Sequence, residues 1–341
     1  MPNYLLCCDW GTSLFRLQLI DADNYQCLGE HVVQEGIAGT FAAWQTSGEP
    51  NGIAKDSFFR QQLSRHIDTL SRQVSIRLTG VPVVISGMAS SSIGMAEVPY
   101  ASLPFGVDGR DVGCLPIDAH PDFPHDMLLI SGVSSGQDVM RGEETQLIGL
   151  MALFQQAGYQ AEKAIFIFPG THAKHLYVQD GRLINFATYM TGEVFHLMAT
   201  QSILKGSIDL NSLADFSDHN VRAFRLGVRQ STSSSLLHGL FTIRTNSLFD
   251  KLTKGENAFY LSGLLIGSEL HHLLKEEGWP LILCSGSKLA PFYQLAIDAL
   301  NLSDHTTSKP AELIDRAASV GQVILYRNRA AKEPNLPPGR S

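Results

Sequence analysis

Leu5-Leu6-Cys7-Cys8-Asp9-Trp10-Gly11-Thr12-Ser13-Leu14-Phe15-Arg16 is the stretch on which the fold turns. A short apolar run ends in an aspartate, a Gly-Thr-Ser turn follows, and a second mostly apolar run continues to Ile20. That order predicts a strand, a tight turn and a returning strand. The turn gathers a carboxylate, two hydroxyls and a glycine at the mouth of a hairpin. Gly11 lets a ligand approach the backbone. Thr12 and Ser13 can donate to phosphate oxygens through hydroxyl and N–H groups. Asp9 can hold a hydrated Mg²⁺, which prefers a carboxylate and its own waters. Taken alone, the same residues suit an ordinary polar turn equally well.

The stretch recurs. Lys163 to Phe168 is again apolar and runs into Pro169-Gly170-Thr171-His172-Ala173-Lys174. Gly170-Thr171 repeats Gly11-Thr12, and at that same offset Leu176 falls on Leu17, Val178 on Leu19 and Asp180 on Asp21. Strand, turn chemistry and outgoing strand agree in order, which predicts a structural duplication. Two lobes that each open on such a hairpin resemble the actin/hexokinase/Hsp70-type fold. That resemblance implies two ribonuclease H-like lobes with ATP in a cleft between them. The expected division is 1–160 as the N-terminal lobe, 161–330 as the C-terminal, nucleotide-binding lobe, and 331–341 as a frayed, Pro-rich tail.

Length and composition bound the reading. The chain has 341 residues, enough for about two domains. Hydrophobic residues make up 44% and charged residues 17%, the balance of a globular protein with a sizeable core. The formal net charge of −7 offers no broad basic field, so nucleic acid is not expected as a partner. Five scattered cysteines without a CxxC pair predict neither zinc nor a disulfide framework, and point to a reducing, cytoplasmic setting. No secretory signal or membrane-length apolar run is visible, so no membrane partner is expected. A small molecule is the expected partner, and a homo-oligomer is left open.

Strands are expected at 4–8, 14–20, 25–33, 82–85, 127–130, 163–168 and 280–284. Helices are expected at 58–70, 138–156, 191–204, 257–277, 289–300 and 311–329. Residues 46–56 read as a surface loop and 205–235 as a polar region without clear structure. Alternating strands and helices argue for α/β layers.

Arg141-Gly142-Glu143-Glu144-Thr145-Gln146 is the densest polar cluster within an expected helix. Phosphoryl transfer to a hydroxyl needs a base near that hydroxyl and otherwise mostly positioning and charge stabilisation. Glu143 fits the base, with Glu144 and, less well, Asp138 as alternatives. Both glutamates would equally suit a helix N-terminus. The loop Ser86 to Gly94 offers small hydroxyl residues to a polyhydroxy substrate. Gly136, Tyr100 and Arg141 could complete a sugar-acid pocket, because a guanidinium matches a carboxylate. Ser285-Gly286 follows a strand and suits an approach to adenosine. Thr191-Gly192-Glu193 reads as a helix cap, Gly263 and Gly267 as a close helix contact, and His271-His272 as a poor metal pair. Gly132-Val133-Ser134-Ser135-Gly136 matches a hydrolase nucleophile elbow and makes Ser134 a rival nucleophile.

Several runs together resemble the 2-dehydro-3-deoxygalactonokinases. They are Asp9-Trp10-Gly11-Thr12 with Arg16; Gly87-Met88 with Ser91 and Gly94; Pro99-Tyr100; and Val139 to Gly149, with Met140-Arg141-Gly142-Glu143-Glu144-Thr145-Gln146 at its heart. They continue with Pro169-Gly170-Thr171-His172 and Lys174, Met190-Thr191-Gly192-Glu193, and Leu261-Ser262-Gly263-Leu264-Leu265-Ile266-Gly267. The resemblance implies ATP- and Mg²⁺-dependent phosphorylation of 2-dehydro-3-deoxy-D-galactonate at its C6 hydroxyl. Related two-lobe sugar kinases usually carry Asp where this chain has Glu143, which keeps Glu144 in play.

The expected site is then Glu143, Glu144 and Arg141 for catalysis. Asp9, Gly11, Thr12, Ser13, Arg16, Gly170, Thr171, His172, Lys174, Ser285 and Gly286 are expected on the nucleotide, with Asp9 also on the metal. Gly87, Met88, Ser90, Ser91, Tyr100 and Arg141 are expected on the substrate. Rival readings are a kinase for another 2-keto-3-deoxy sugar acid, a nucleotide-dependent sensor or scaffold, and a serine hydrolase built on Ser134.

Overall fold

The computed structural model describes residues 3–159 and 162–332. Among them the chain divides into two compact units, one holding 3–159, Gly181–Asn185 and 313–332, the other Glu162–Asp180 and Phe186–Glu312.

In the first unit, Tyr4–Trp10 and Phe15–Asp21 form the expected hairpin, and Cys27–Val33 extends it on the far side. Val83–Gly87 and then Met127–Ile130 add in parallel on the other side of the opening strand. Leu5 to Cys8 are buried on both faces, as a central strand requires. Leu6, Cys8 and Trp10 face the helix Lys55–Val74, which buries Phe59, Leu63, Ile67 and Leu70 against them. Toward the opposite face, Cys7 Sγ contacts the Ser319 carbonyl, and Gln322 Nε2 donates to Cys8 O at 2.7 Å and Ser86 Oγ at 2.8 Å. These partners lie on the C-terminal helix Ala311–Lys332. The expected lobe 161–330 had this helix with the second half of the chain, but from Leu313 onward it packs with the first unit. Two helices close tightly there, because a methyl on Gly149 would sit 1.9 Å from Ala317 O and one on Gly321 2.0 Å from Thr145 O. Of the tail expected at 331–341, residues 331–332 complete this helix and the rest lies outside the described residues.

The second unit repeats the arrangement. Lys163–Phe168 pairs antiparallel with Ala173–Gln179, Phe186–Tyr189 at the end of the strand Arg182–Tyr189 follows, and Leu281–Leu283 and Thr306–Ser308 add in parallel. Both units therefore carry an antiparallel three-strand meander whose first strand is also the first of three parallel strands. Helices 191–200, 218–233, 254–270 and 290–299 bury Phe224, Phe259, Leu264, Phe292 and Ile297 beside the sheet. Gly227 and Gly263 let helices 218–233 and 254–270 touch backbone to backbone, and Gly263-x₃-Gly267 is a packing seam.

Three local expectations change. Residues 44–51 wind as π- and 3₁₀-helical turns, because Trp44 packs over Gly48 and the Thr46 and Ser47 hydroxyls bond carbonyls one turn back. The helix expected from Asp138 begins only at Glu143, since Gly142 at φ 108° cannot be helical, and Val139–Met140 pairs with Val133–Ser134 instead. The polar region to Ser235 contains the helix Asp218–Ser233, whose apolar positions Ala223, Phe224 and Val228 are buried.

Gly263→Ala places its methyl 2.1 Å from the Phe224 carbonyl oxygen, against backbone that cannot swing away. It is expected to cost about 2–3 kcal/mol, read as a drop of several degrees in melting temperature, whereas Gly39→Ala, with open space around it, should leave melting within a degree or two.

Candidate functional site

In an open α/β sheet, ligands meet the carboxyl ends of parallel strands, where loops leave the sheet. In the first unit those ends present Asp9 to Gly11, Gly87-Met88 and Ser131-Gly132, since Trp10 is in register with Gly87 and Ile85 with Leu129.

The turn after Asp9 is rigidly backed. Gly11 N–H donates to Leu14 O, and the N–H groups of Gly36, Ile37 and Ala38 donate to the carbonyls of Ser13, Gly11 and Thr12. A side chain on Gly36 would strike Thr12 O at 2.3 Å. Thr12 and Ser13 stay exposed, and their side chains face outward from this support. Gly36 was missed in the sequence, where its only signal is a glycine just ahead of a short helix.

Asp9 stands at the end of its strand opposite Arg16. Burial, opposed by Arg16 and reinforced by Glu143, pushes its carboxyl up to about 6. Arg16 also places Nε 3.6 Å from Glu30 Oε1, so it neutralises this edge of the sheet. Gly87 is held at φ 87°, where a side chain would meet Trp10 O at 2.8 Å and Asp9 Oδ1 at 3.3 Å. A methyl on Gly142 would lie 3.6 Å from Gly87 Cα and 3.9 Å from Asp9 Oδ1. The start of helix Glu143–Gln156 thus abuts Asp9, with Glu143 as its first, half-buried residue.

The structure separates the two glutamates. Glu144 is fully buried; its carboxyl accepts from Gly142 N at 2.7 Å and from Thr145 Oγ1 at 2.8 Å. Burial, with Glu143 beside it, pushes it up to about 8. Glu144 is thus buried and bonded within the start of its own helix, whereas Glu143 is half-buried. Asp138 sits in the 135–138 turn, its N–H donating to Ser135 Oγ, and is not on the helix.

Arg141 is a clamp. Its two terminal nitrogens donate to Ser90 Oγ at 2.8 Å and Val98 O at 3.0 Å, and its guanidinium lies 4.0 Å over the Tyr100 ring. Ser90 Oγ donates to Gly87 O and Ser91 Oγ to Met88 O. Both serines are buried and shape the loop, and Ser90 also orients Arg141, while Met88 is half-buried and Tyr100 exposed. Ser134 is not an elbow nucleophile. An elbow passes from strand straight into helix, whereas Val133–Ser134 turns back as a hairpin over Gly136, whose N–H donates to Ser134 Oγ.

In the second unit Thr171 and His172 of the turn Gly170–His172 are exposed at the corresponding strand end, with Gly170 half-buried. Lys174 is buried with Nζ 3.2 Å from His172 O. Cys284 N–H donates to Ile167 O, which sets Ser285 and open, exposed Gly286 at the neighbouring strand end. Thr191-Gly192-Glu193 does not cap its helix. A side chain on Gly192 would strike Gly170 O at 2.6 Å, Glu193 N–H donates to Thr171 O at 3.0 Å, and Glu193 Oε2 lies 2.5 Å from His172 Nε2. The helix start is pressed onto the turn.

The family model described as 2-keto-3-deoxy-galactonokinase matches residues 9–319. A protein of Rhizobium meliloti assigned as a 2-dehydro-3-deoxygalactonokinase is 29% identical over 312 residues, covering 88% of this chain and 91% of that one. The 2-dehydro-3-deoxygalactonokinase of Escherichia coli is 29% identical over 228 residues, 64% of this chain and 71% of that one. A crystal structure from Sinorhizobium meliloti with the same assignment superposes with a TM-score of 0.72 at 26% identity, covering 99% of both chains. The activator of 2-hydroxyisocaproyl-CoA dehydratase from Clostridium difficile shares the fold alone, with a TM-score of 0.52 at 12% identity over 99% of this chain and all of that one.

A carboxyl raised by burial favours the folded state while it is protonated. Glu144 therefore contributes stability that is full below about pH 4.5 and is lost as pH rises toward 8. Glu144→Gln, which keeps the neutral form at all pH, should gain in melting temperature relative to the parent chain between pH 5 and pH 8.5. A difference that stays flat across that range would contradict the assignment.

Proposed function

The chain belongs to the 2-keto-3-deoxy-galactonokinase family, and from that premise we propose that it transfers the γ-phosphoryl group of ATP to the C6 hydroxyl of 2-dehydro-3-deoxy-D-galactonate, in the cytoplasm. The observation that carries the reading is the approach of Glu143 to Asp9 at a strand end, with Glu144 turned away into the helix.

In the proposed step Glu143 takes the proton from the C6 hydroxyl while that oxygen bonds to the γ-phosphorus. The bond from phosphorus to the β,γ-bridging oxygen breaks, and ADP leaves with those electrons. Arg141, set by Ser90, Val98 and Tyr100, turns its remaining donors to the substrate carboxylate. Gly87 and Met88 complete the pocket floor. Thr12, Ser13, Gly170, Thr171 and His172 supply phosphate donors, the buried Lys174 braces the second turn through His172 O, and Ser285-Gly286 lies against the adenosine.

The donor set suits Mg²⁺. Asp9 gives one carboxylate beside exposed hydroxyls, and among the described residues no group of three or more His, Cys, Asp or Glu forms a protein cage. That is the pattern for an ion held by one carboxylate, water and phosphate oxygens. Bound there, it would offset phosphate charge. Asp9 would hold it only when ionised.

Glu143→Gln is expected to lower kcat by at least about a hundredfold while the KM values for ATP and sugar acid stay within a few-fold; survival of most of the activity would remove Glu143 as the base. For the parent enzyme, kcat/KM should fall as pH drops through about 6, where Asp9 takes up its proton. An ATP-consumption screen over the galactonate and gluconate forms of the 2-keto-3-deoxy acids identifies the substrate, and preference for the gluconate epimer would overturn the assignment.

A further inference from the structure

Glu269 is a carboxylate that the proposed chemistry does not use. It sits 3% exposed near the end of helix Lys254–Leu270, in an otherwise apolar run. Three side chains from three other elements converge on it. His175 Nε2 donates to Oε1 at 3.0 Å, while Thr191 Oγ1 at 2.5 Å and Tyr293 OH at 2.7 Å share Oε2. His272 closes the cluster, with Nδ1 2.9 Å from the Glu269 carbonyl and its ring stacked on His175 and Tyr189.

Two of these partners flank the second Gly-Thr turn. His175 lies on the strand that leaves it, three residues after His172. Thr191 begins the helix whose next two residues, Gly192 and Glu193, press on Gly170, Thr171 and His172. Only a carboxylate satisfies all three donors, because it accepts at both oxygens and donates nothing. An amide has one acceptor oxygen and presents N–H groups on its other side, so the His175 contact must reverse its direction, with a change of tautomer, or break.

We propose that Glu269 is a positioning residue for nucleotide binding: by holding Thr191 and His175 it fixes the Gly170–His172 turn in the form that receives phosphate. This rests on the reading of that turn as a phosphate contact. Glu269 does not touch substrate; it acts through Thr191.

The test compares Glu269→Gln, Thr191→Val, Thr191→Ser and Thr171→Ala in steady-state kinetics, with melting temperature as a check on folding. Thr191→Val removes the hydroxyl but keeps the shape and leaves Glu269 two donors, so it carries the test should Glu269→Gln fail to fold. Glu269→Gln and Thr191→Val are expected to raise KM for ATP roughly tenfold, with KM for the sugar acid and kcat within about threefold, and Thr191→Ser should restore the parent value. An unchanged KM for ATP in folded Thr191→Val overturns the proposal. So does an equal loss in kcat and both KM values, which marks a purely structural role. Thr171→Ala separates the two levels. If it weakens ATP and Thr191→Val does not, the positioning role fails alone; if it leaves ATP unaffected, the reading of the turn fails first and the positioning role with it.

Discussion

Two like charges held close in a poorly solvated place set the terms for the first unit. Asp9 ends a central strand and Glu143 begins a helix, and their mutual repulsion is part of what lifts Asp9 toward neutral pH. The backbone brings them together through two positions that only glycine fills without strain, Gly87 and Gly142, both at positive φ. Arg16 relieves part of the repulsion from the next strand. An arrangement that raises the energy of the empty site also favours whatever cation and hydroxyl proton it is built to receive.

The two hairpins share the order of strand, Gly-Thr turn and returning strand, but differ in what surrounds the turn. The first keeps an aspartate at its strand end and is backed by the N–H groups of residues 36–38. The second has Pro169 further along its own strand exit, bears His172, and is backed by the start of another helix and by a buried carboxylate network. The first turn follows a carboxylate at its strand end; the second follows none and is braced through its backbone. In both cases a glycine sits directly behind the turn, Gly36 in one and Gly192 in the other, where a side chain would collide with the turn's backbone.

Much of this was legible in residue order. The hairpin at Asp9, its echo at Gly170, the parallel strands after them and the carboxylate after Gly142 all carry local signals that survive folding. What escaped had non-local causes. Helix Asp218–Ser233 hides because polar residues separate its buried positions, so its pattern shows only when Ala223, Phe224, Gly227 and Val228 are read as one face. Thr191 resembles a cap, and only Glu269, far along the chain, turns its hydroxyl elsewhere. Ser90 and Ser91 resemble open substrate contacts, yet their hydroxyls bond the loop that carries them. That Glu143 is half-buried and Glu144 buried depends on the direction of each side chain, which adjacent identical residues cannot announce.

The C-terminal helix has a temporal meaning as well as a spatial one. Leu5 and Cys7 leave the ribosome long before Ser319 and Gln322, whose bonds to Cys7 and Cys8 seal the face behind them. The second unit lies wholly between these two segments in the chain. It can complete its own core while the first sheet still waits with one side uncovered. The order of synthesis is thus opposite to the order of completion, and the long loop that must close gives the first unit its slowest contacts.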